Sequence, residues 1–272
     1  MAKKSALITA RDPRGRQATA MFKAAYNEVA LDSARAQGLN GSREFHKELV
    51  ELIRRRAVPV FEPGRWYQRA IRLAGKANIL FAEEVSMRRK GVVYGKENLE
   101  LLADTLPDAG DLRDLRAGTH LLLPMPPEPI TLLGLRTLQA ELFLARSGGW
   151  YAAEWEAKKW ADTETTGLCR WVAFRKTEVL GSLSKTPTEQ DMLIPAGERC
   201  PYAAEQSWLT TTAEVVRGMR LFTEAWVRTS TLDAGGWRVG VGRRPDGLGV
   251  GSWGDVPGPC IGVASAREFQ KK

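Results

Sequence analysis

The chain has 272 residues, 43% of them hydrophobic and 26% charged, with a formal net charge of +8 at pH 7. That is the composition of an ordinary globular protein with room for a substantial core, in one large or two small domains, and it excludes collagen-like and disordered classes. No run approaches the ~18 continuous apolar residues of a membrane-spanning helix.

The first ten residues begin with a basic pair, Lys3 and Lys4, but their apolar part is too short for a signal peptide. The three cysteines, Cys169, Cys200 and Cys260, are odd in number and widely spaced, as expected of reduced thiols in the cytoplasm. Display on a surface or virion stays open. Scarce Asn and plentiful Arg hint at a heat-adapted, thermophile source. The basic excess lies early: residues 1–110 hold 20 of the 40 Lys and Arg but only 13 of the 32 Asp and Glu.

That half reads as helical. A first helix is expected over Gln17–Gln37, with Phe22, Tyr26, Val29 and Ala30 on one stripe and a stop at Gly38. Ser42 is a plausible N-cap for a second helix carrying Phe45, Leu49, Leu52 and Ile53 on one face. Pro63 suits the first turn of a third, on which Trp66, Ala70, Leu73 and Ala77 align. A short fourth covers Lys96–Leu106, and the run from Pro107 to Asp111 reads as a junction. The domains expected are therefore a helical basic region over 1–110 and a second domain over 111–272.

The cationic runs Arg54–Arg56 and Met87–Lys90 fit either phosphate contacts or solvated helix faces and ends, and no interleaved aromatics support a single-strand groove. From His120 the pattern changes. Leu121–Pro124 reads as a buried strand running into a turn, followed by a helix over Thr131–Arg146. Strands are expected at Trp150–Glu156 and Cys169–Arg175. Eight of the nine tryptophans lie from Trp150 onward, as suits a loop-rich domain that needs large rings for its core.

Chemical motifs are sparse. His46 and His120 fall in different halves, the cysteines form no C-x-x-C, and no metal or cofactor site is expected. The run from Gly91 to Lys96 is one residue short of a phosphate loop. The G-x-G-x-x-G match at Gly249–Gly254 runs into Asp-Val-Pro-Gly-Pro, where no helix can start. No nucleophile elbow or His-based triad is visible.

The carboxyl-terminal stretch is the most informative. Val239 and Val241 alternate with small or polar residues, as do Leu248 and Val250, and Arg244-Pro-Asp-Gly247 between them has turn chemistry, so a β-hairpin is expected. If those four apolar residues face a core, then Arg238, Gly240, Gly249, Gly251 and Trp253 face the other way. A face of glycines contributes no packing and is costly in backbone entropy, which suggests positions free to hold almost any side chain. Gly254–Cys260 is equally loose, and Ile261–Ala266 then reads as an apolar strand. From Thr229 to Ala266 there is no Lys, Glu, Gln or Met.

The run Gly235-Gly-Trp-Arg-Val-Gly-Val-Gly-Arg, the strand Gly247-Leu-Gly-Val-Gly-Ser-Trp253 and above all Ile261-Gly-Val-Ala-Ser-Ala-Arg267 resemble the variable region of target proteins diversified by diversity-generating retroelements. In that family an error-prone reverse transcriptase rewrites adenine positions at the 3′ end of the gene. The variable residues sit on a C-type lectin-like fold of the formylglycine-generating-enzyme type and form a ligand-binding surface. The absent residue types fit, because asparagine codons mutated only at adenine cannot yield Lys, Glu, Gln or Met. Trp237 and Trp253 depart from that codon set. Pro201–Trp208 looks like the start of the helix before the terminal strands of that fold.

The resemblance implies an α+β class: a C-type lectin-like domain with short antiparallel strands and a terminal hairpin, carrying a variable region over about 235–265 and preceded by helices. It further implies a non-enzymatic binding protein with a protein or other macromolecular ligand. The ligand-contacting residues expected are Trp237, Gly240, Gly249, Gly251 and Trp253 on the hairpin, and Gly254, Asp255, Pro257, Gly258, Pro259 and Cys260 beyond it. Val239, Val241, Leu248, Val250, Ile261 and Val263 are expected to be scaffold. On that basis Val241→Asp should unfold the domain and Gly251→Tyr should leave its melting temperature nearly unchanged. Two alternatives stand beside this: a nucleic-acid-associated protein acting through the basic helices, or a formylglycine-generating-type oxidoreductase. The latter chemistry uses a cysteine pair, of which only Cys260 lies near the carboxyl end.

Overall fold

A computed structural model describes residues 13–56, 65–144 and 159–269. It combines helices with antiparallel sheets, consistent with an α+β class. The chain divides into two units, Met1–Val58 and Pro59–Lys272. The division therefore falls well before the expected position near 110. Ile79, Leu80, Phe81, Val92 and Tyr94 are buried in the same core as Leu121–Leu123, and this apolar content binds the segment after Pro59 to the second unit.

The first unit contains α1 (Pro13–Glu28), α2 (Ser33–Gly41) and α3 (Arg43–Arg56). The single helix expected over Gln17–Gln37 is broken. Ala30 adopts φ 48°, and the Asp32 carboxylate accepts from the Arg35 amide at 2.9 Å, starting a new helix that runs through Gly38. A good N-cap outweighs a continuous apolar stripe here. Ser42 does cap α3, its hydroxyl accepting from the Phe45 amide at 3.1 Å.

The second unit opens with α4 (Arg65–Ala74), α5 (Ala82–Arg88), α6 (Lys96–Asp104) and α7 (Ala109–Asp114). Pro63 lies outside the described residues. The junction expected over Pro107–Asp111 is instead the start of α7: Asp108 caps it, accepting from the Gly110 and Asp111 amides. After β1 (His120–Pro124), α8 spans only Leu132–Leu138 under a Thr131 cap, shorter than the Thr131–Arg146 expected. Next come α9 (Lys159–Thr163), β2 (Trp171–Arg175), α10 (Pro187–Met192) and α11 (Ala203–Arg217). The strand expected at Trp150–Glu156 lies outside the described residues. Five short strands finish the unit: β3 (Trp226–Leu232), β4 (Arg238–Arg244), β5 (Gly247–Trp253), β6 (Ile261–Val263) and β7 (Ala266–Glu268).

Two sheets result, one ordered β1-β2-β7 and the other β5-β4-β3-β6. Every pairing is antiparallel except β3 with β6. The apolar run Ile261–Ala266, expected as one strand, is two: the chain leaves one sheet at Ala264 and joins the other at Ala266. Helix α11 packs across β3, β4 and β5 and is almost entirely buried; Gly218 ends it in the left-handed conformation at φ 66°. Trp208 on that helix is fully buried, its indole N–H donating to the Pro124 carbonyl at 3.0 Å. The indole N–H of Trp171, also fully buried, donates to the Leu102 carbonyl at 2.9 Å. Among the described residues no helix is long and apolar enough to cross a membrane.

Candidate binding surface at the end of the terminal hairpin

The hairpin forms in the expected register. Val241 pairs with Val250, Gly240 with Gly251 and Arg238 with Trp253, and the reversal falls between Arg244 and Gly247. Val239, Val241, Leu248 and Val250 are wholly buried in the main core, and Ile261 and Val263 in β6 are wholly buried as well. Gly247 stands at a close approach. A Cβ there would lie 2.6 Å from the Leu144 backbone nitrogen, because the Leu144 amide donates to the Leu248 carbonyl alongside.

The opposite face is not open to solvent, which corrects the expectation for Gly240, Gly249 and Gly251. All three are buried. Trp226, from β3, lies across Gly242 and Gly249, where an added Cβ would sit 2.6 Å from its ring atoms. Trp253 lies across Gly240 at the same 2.6 Å. The two indoles pack together with centroids 6.0 Å apart, and with Leu144 and Ile261 they make a second small core. The glycines are thus seats for rings, and the absence of side chains there stabilises the unit by admitting large apolar surface.

Of the remaining expected residues, Trp237 and Gly254 lie at one end of the four-stranded sheet, and the loop then runs back to the other end, where the Cys260 carbonyl accepts from the Trp226 amide at 2.8 Å at the start of β3. The β3–β4 turn and the exit of β5 are adjacent because Arg238 faces Trp253. Trp237 is 52% exposed, and the Asp233 carboxylate holds its turn by accepting from the Gly235 and Trp237 amides. Asp255, Pro257, Pro259 and Cys260 are exposed, Gly254 and Gly258 half-buried, and Val256, which was not among the expected contacts, is 75% exposed.

Arg228 in β3 organises this loop from beneath. Its guanidinium is fully buried. Nη2 donates to the Gly254 and Val256 carbonyls at 3.0 and 2.8 Å, and Nη1 to the Lys185 carbonyl and to Gln190 Oε1. The Ser184 amide donates to the Gly258 carbonyl at 3.0 Å. A buried cation spent on four acceptors fixes backbone rather than binding ligand. Arg238 is similarly occupied by Asp191 at 2.5 Å, beside Cys200. Sequence reasoning missed Arg228 and the ring role of Trp226. The available signal was a cation between Val227 and Thr229 within a strand.

Among the described residues, the polar cluster around Glu198 gathers a serine, a histidine and an arginine on one carboxylate. The Ser265 hydroxyl donates to Glu198 at 2.6 Å, while His120 lies on the other carboxylate oxygen, 3.1 Å away, and against Thr119. Arg175 donates to the same carboxylate, so serine and histidine share a partner without touching. Burial would raise the Glu198 pKa, yet the hydrogen bonds from His120, Arg175 and Ser265 bring it down to about 2. All three cysteines are free; burial pushes the thiols of Cys169 and Cys200 up to about 11 and about 12, away from the reactive thiolate. Arg89, in the basic run Met87–Lys90, is 1% exposed and therefore no part of a phosphate-binding face. Among the described residues no group of three His, Cys, Asp or Glu could hold a metal ion. No family model, curated protein or solved structure matches this chain.

Proposed function

We propose that this chain is a non-enzymatic binding protein whose ligand surface is Trp237 together with the loop over 254–260 that leaves the terminal hairpin and runs back along the sheet. The observation that carries this is the division of labour around Arg228. The loop's carbonyls are held from inside by a buried guanidinium, while Asp255, Val256, Pro257, Pro259 and Cys260 project outward. Side chains on such a loop can change without disturbing what holds it, which is the physical requirement of a diversified recognition surface on a rigid scaffold. The resemblance to retroelement-diversified proteins on a C-type lectin-like fold accords with this arrangement, with one amendment. The diversified positions would be Trp237 and the loop rather than Gly240 and Gly249, whose space is taken by tryptophans, or Gly251, which is buried.

Deep sequencing of the gene's 3′ end across a natural population tests this. Substitutions should concentrate in the codons for Trp237 and Asp255–Cys260 and spare Val239, Gly240, Val241, Leu248, Gly249 and Val250. An even spread over both sets would refute it. A near-copy of the 3′ end, differing opposite adenines and lying beside a reverse transcriptase gene, would identify the source of the variation.

A further inference from the structure

We infer that Arg89 holds a small monovalent inorganic anion, of the size of chloride, inside the second unit. The residue follows the last turn of α5, its amide donating to the Val85 carbonyl, and its side chain runs inward until the whole residue is 1% exposed. The guanidinium carbon lies 4.1 Å from the ring centroid of Trp208, so the indole covers one face. Nη1 donates to the hydroxyls of Thr211 and Thr212 at 2.9 and 2.5 Å, which occupies one corner of the group. Among the described residues Nε and Nη2 have no hydrogen-bond partner.

These two nitrogens are not an arbitrary pair. Their N–H bonds point the same way from one edge of the guanidinium, forming the fork that takes carboxylates and other anions two bonds at a time. Elsewhere Arg217 meets Glu84, Arg199 meets Glu205 and Arg243 meets Glu214, while Arg228, without a carboxylate, gives both terminal nitrogens to four acceptors. No carboxylate among the described residues meets Arg89. An isolated buried cation costs several kcal/mol, so an empty fork facing inward calls for a counter-charge. Burial, opposed in part by Tyr94, brings the Arg89 pKa down to about 9, which expresses the same deficit.

The surroundings favour an acceptor of hydrogen bonds over a donor. The hydroxyl of Ser207, one turn before Thr211 on the same face of α11, is also buried and unpartnered. A halide accepts from N–H and O–H groups, neutralises the charge, and needs no acceptor from the protein. Burial of the site selects against anything large.

The full-length protein, dialysed free of halide, is melted in sodium chloride and in sodium gluconate at constant ionic strength. Chloride should raise the melting temperature saturably, by about 5–10 °C at a hundredfold excess over its Kd. Arg89→Met, which keeps the bulk and removes the charge, should abolish that rise. Crystals soaked in bromide supply an independent readout should this variant fail to fold: an anomalous peak is expected beside Nε and Nη2 of Arg89. Equal melting in the two salts would overturn the inference. So would a chloride response that survives Arg89→Met, or a saturating bromide soak with no peak at the fork.

Discussion

Replacing Gly249 by alanine tests the central packing feature with one methyl group. The new Cβ would stand 2.6 Å from Trp226 Cη2, 2.9 Å from Cζ2 and 3.2 Å from Leu144 Cδ1. Carbon atoms rest at about 3.5–4.0 Å, so the ring would have to retreat by roughly an ångström. It has little room, because the same indole is seated on Gly242, where a Cβ would also fall 2.6 Å away. Overpacking of this kind costs about 1–3 kcal/mol, against which alanine recovers about 0.5–1 kcal/mol of backbone entropy. The net loss of about 1–2 kcal/mol corresponds to a fall in Tm of about 2–8 °C for a unit of this size. Gly254→Ala is the control: nothing lies within 4 Å of its added Cβ, so its Tm should stay within the scatter of surface substitutions. Thermal unfolding followed by circular dichroism compares the two. If Gly249→Ala melts no lower than Gly254→Ala, the glycine face is open after all and the seat described for Trp226 is wrong.

Three further outcomes are expected. Arg228→Met leaves the carbonyls of Gly254 and Val256 without their donor, so amide exchange over 254–260 should quicken and stability fall by about 2–4 kcal/mol; unchanged exchange in the loop would count against the clamp. Glu198 has its folded pKa depressed to about 2, so its contribution is present above the unfolded value near 4.5 and is lost as pH falls toward 2. Glu198→Gln should accordingly flatten the acid limb of Tm against pH, and parallel limbs for the two proteins would refute the assignment. Val241→Asp places an unpaired carboxylate in a wholly buried site opposite Val227, and dispersed NMR signals should disappear; a natively dispersed spectrum would contradict the burial.

The hairpin was the most legible element because its information is local. Alternation marked the strands, Pro245-Asp246-Gly247 marked the reversal, and the pattern placed Val239, Val241, Leu248 and Val250 inward. The same parity could not say what covers the other side. Trp226 reaches Gly249 from a strand that pairs with β4, and nothing in the spacing of the two residues announces that contact. Arg228 was hidden for the same reason, since its partners at Gln190, Gly254 and Val256 are distant in sequence. Helix ends were misplaced where a capping carboxylate, Asp32 or Asp108, overrode apolar periodicity or turn composition. The exposed loop was legible as loose text, whereas the clamp that holds it was not.

The two short strands that follow the loop bind separate halves of the architecture. Ile261–Val263 edges the four-stranded sheet beside β3, and Ala266–Glu268 edges the three-stranded one beside β2, with only Ala264 and Ser265 between them. Peeling this segment away would strip a border from both sheets at once, so neither half can melt by itself and the pair should come apart as one cooperative block. A deletion upstream that drew the segment out of alignment would be felt on both sides of the molecule, whereas exchange of one loop residue for another would be felt on neither.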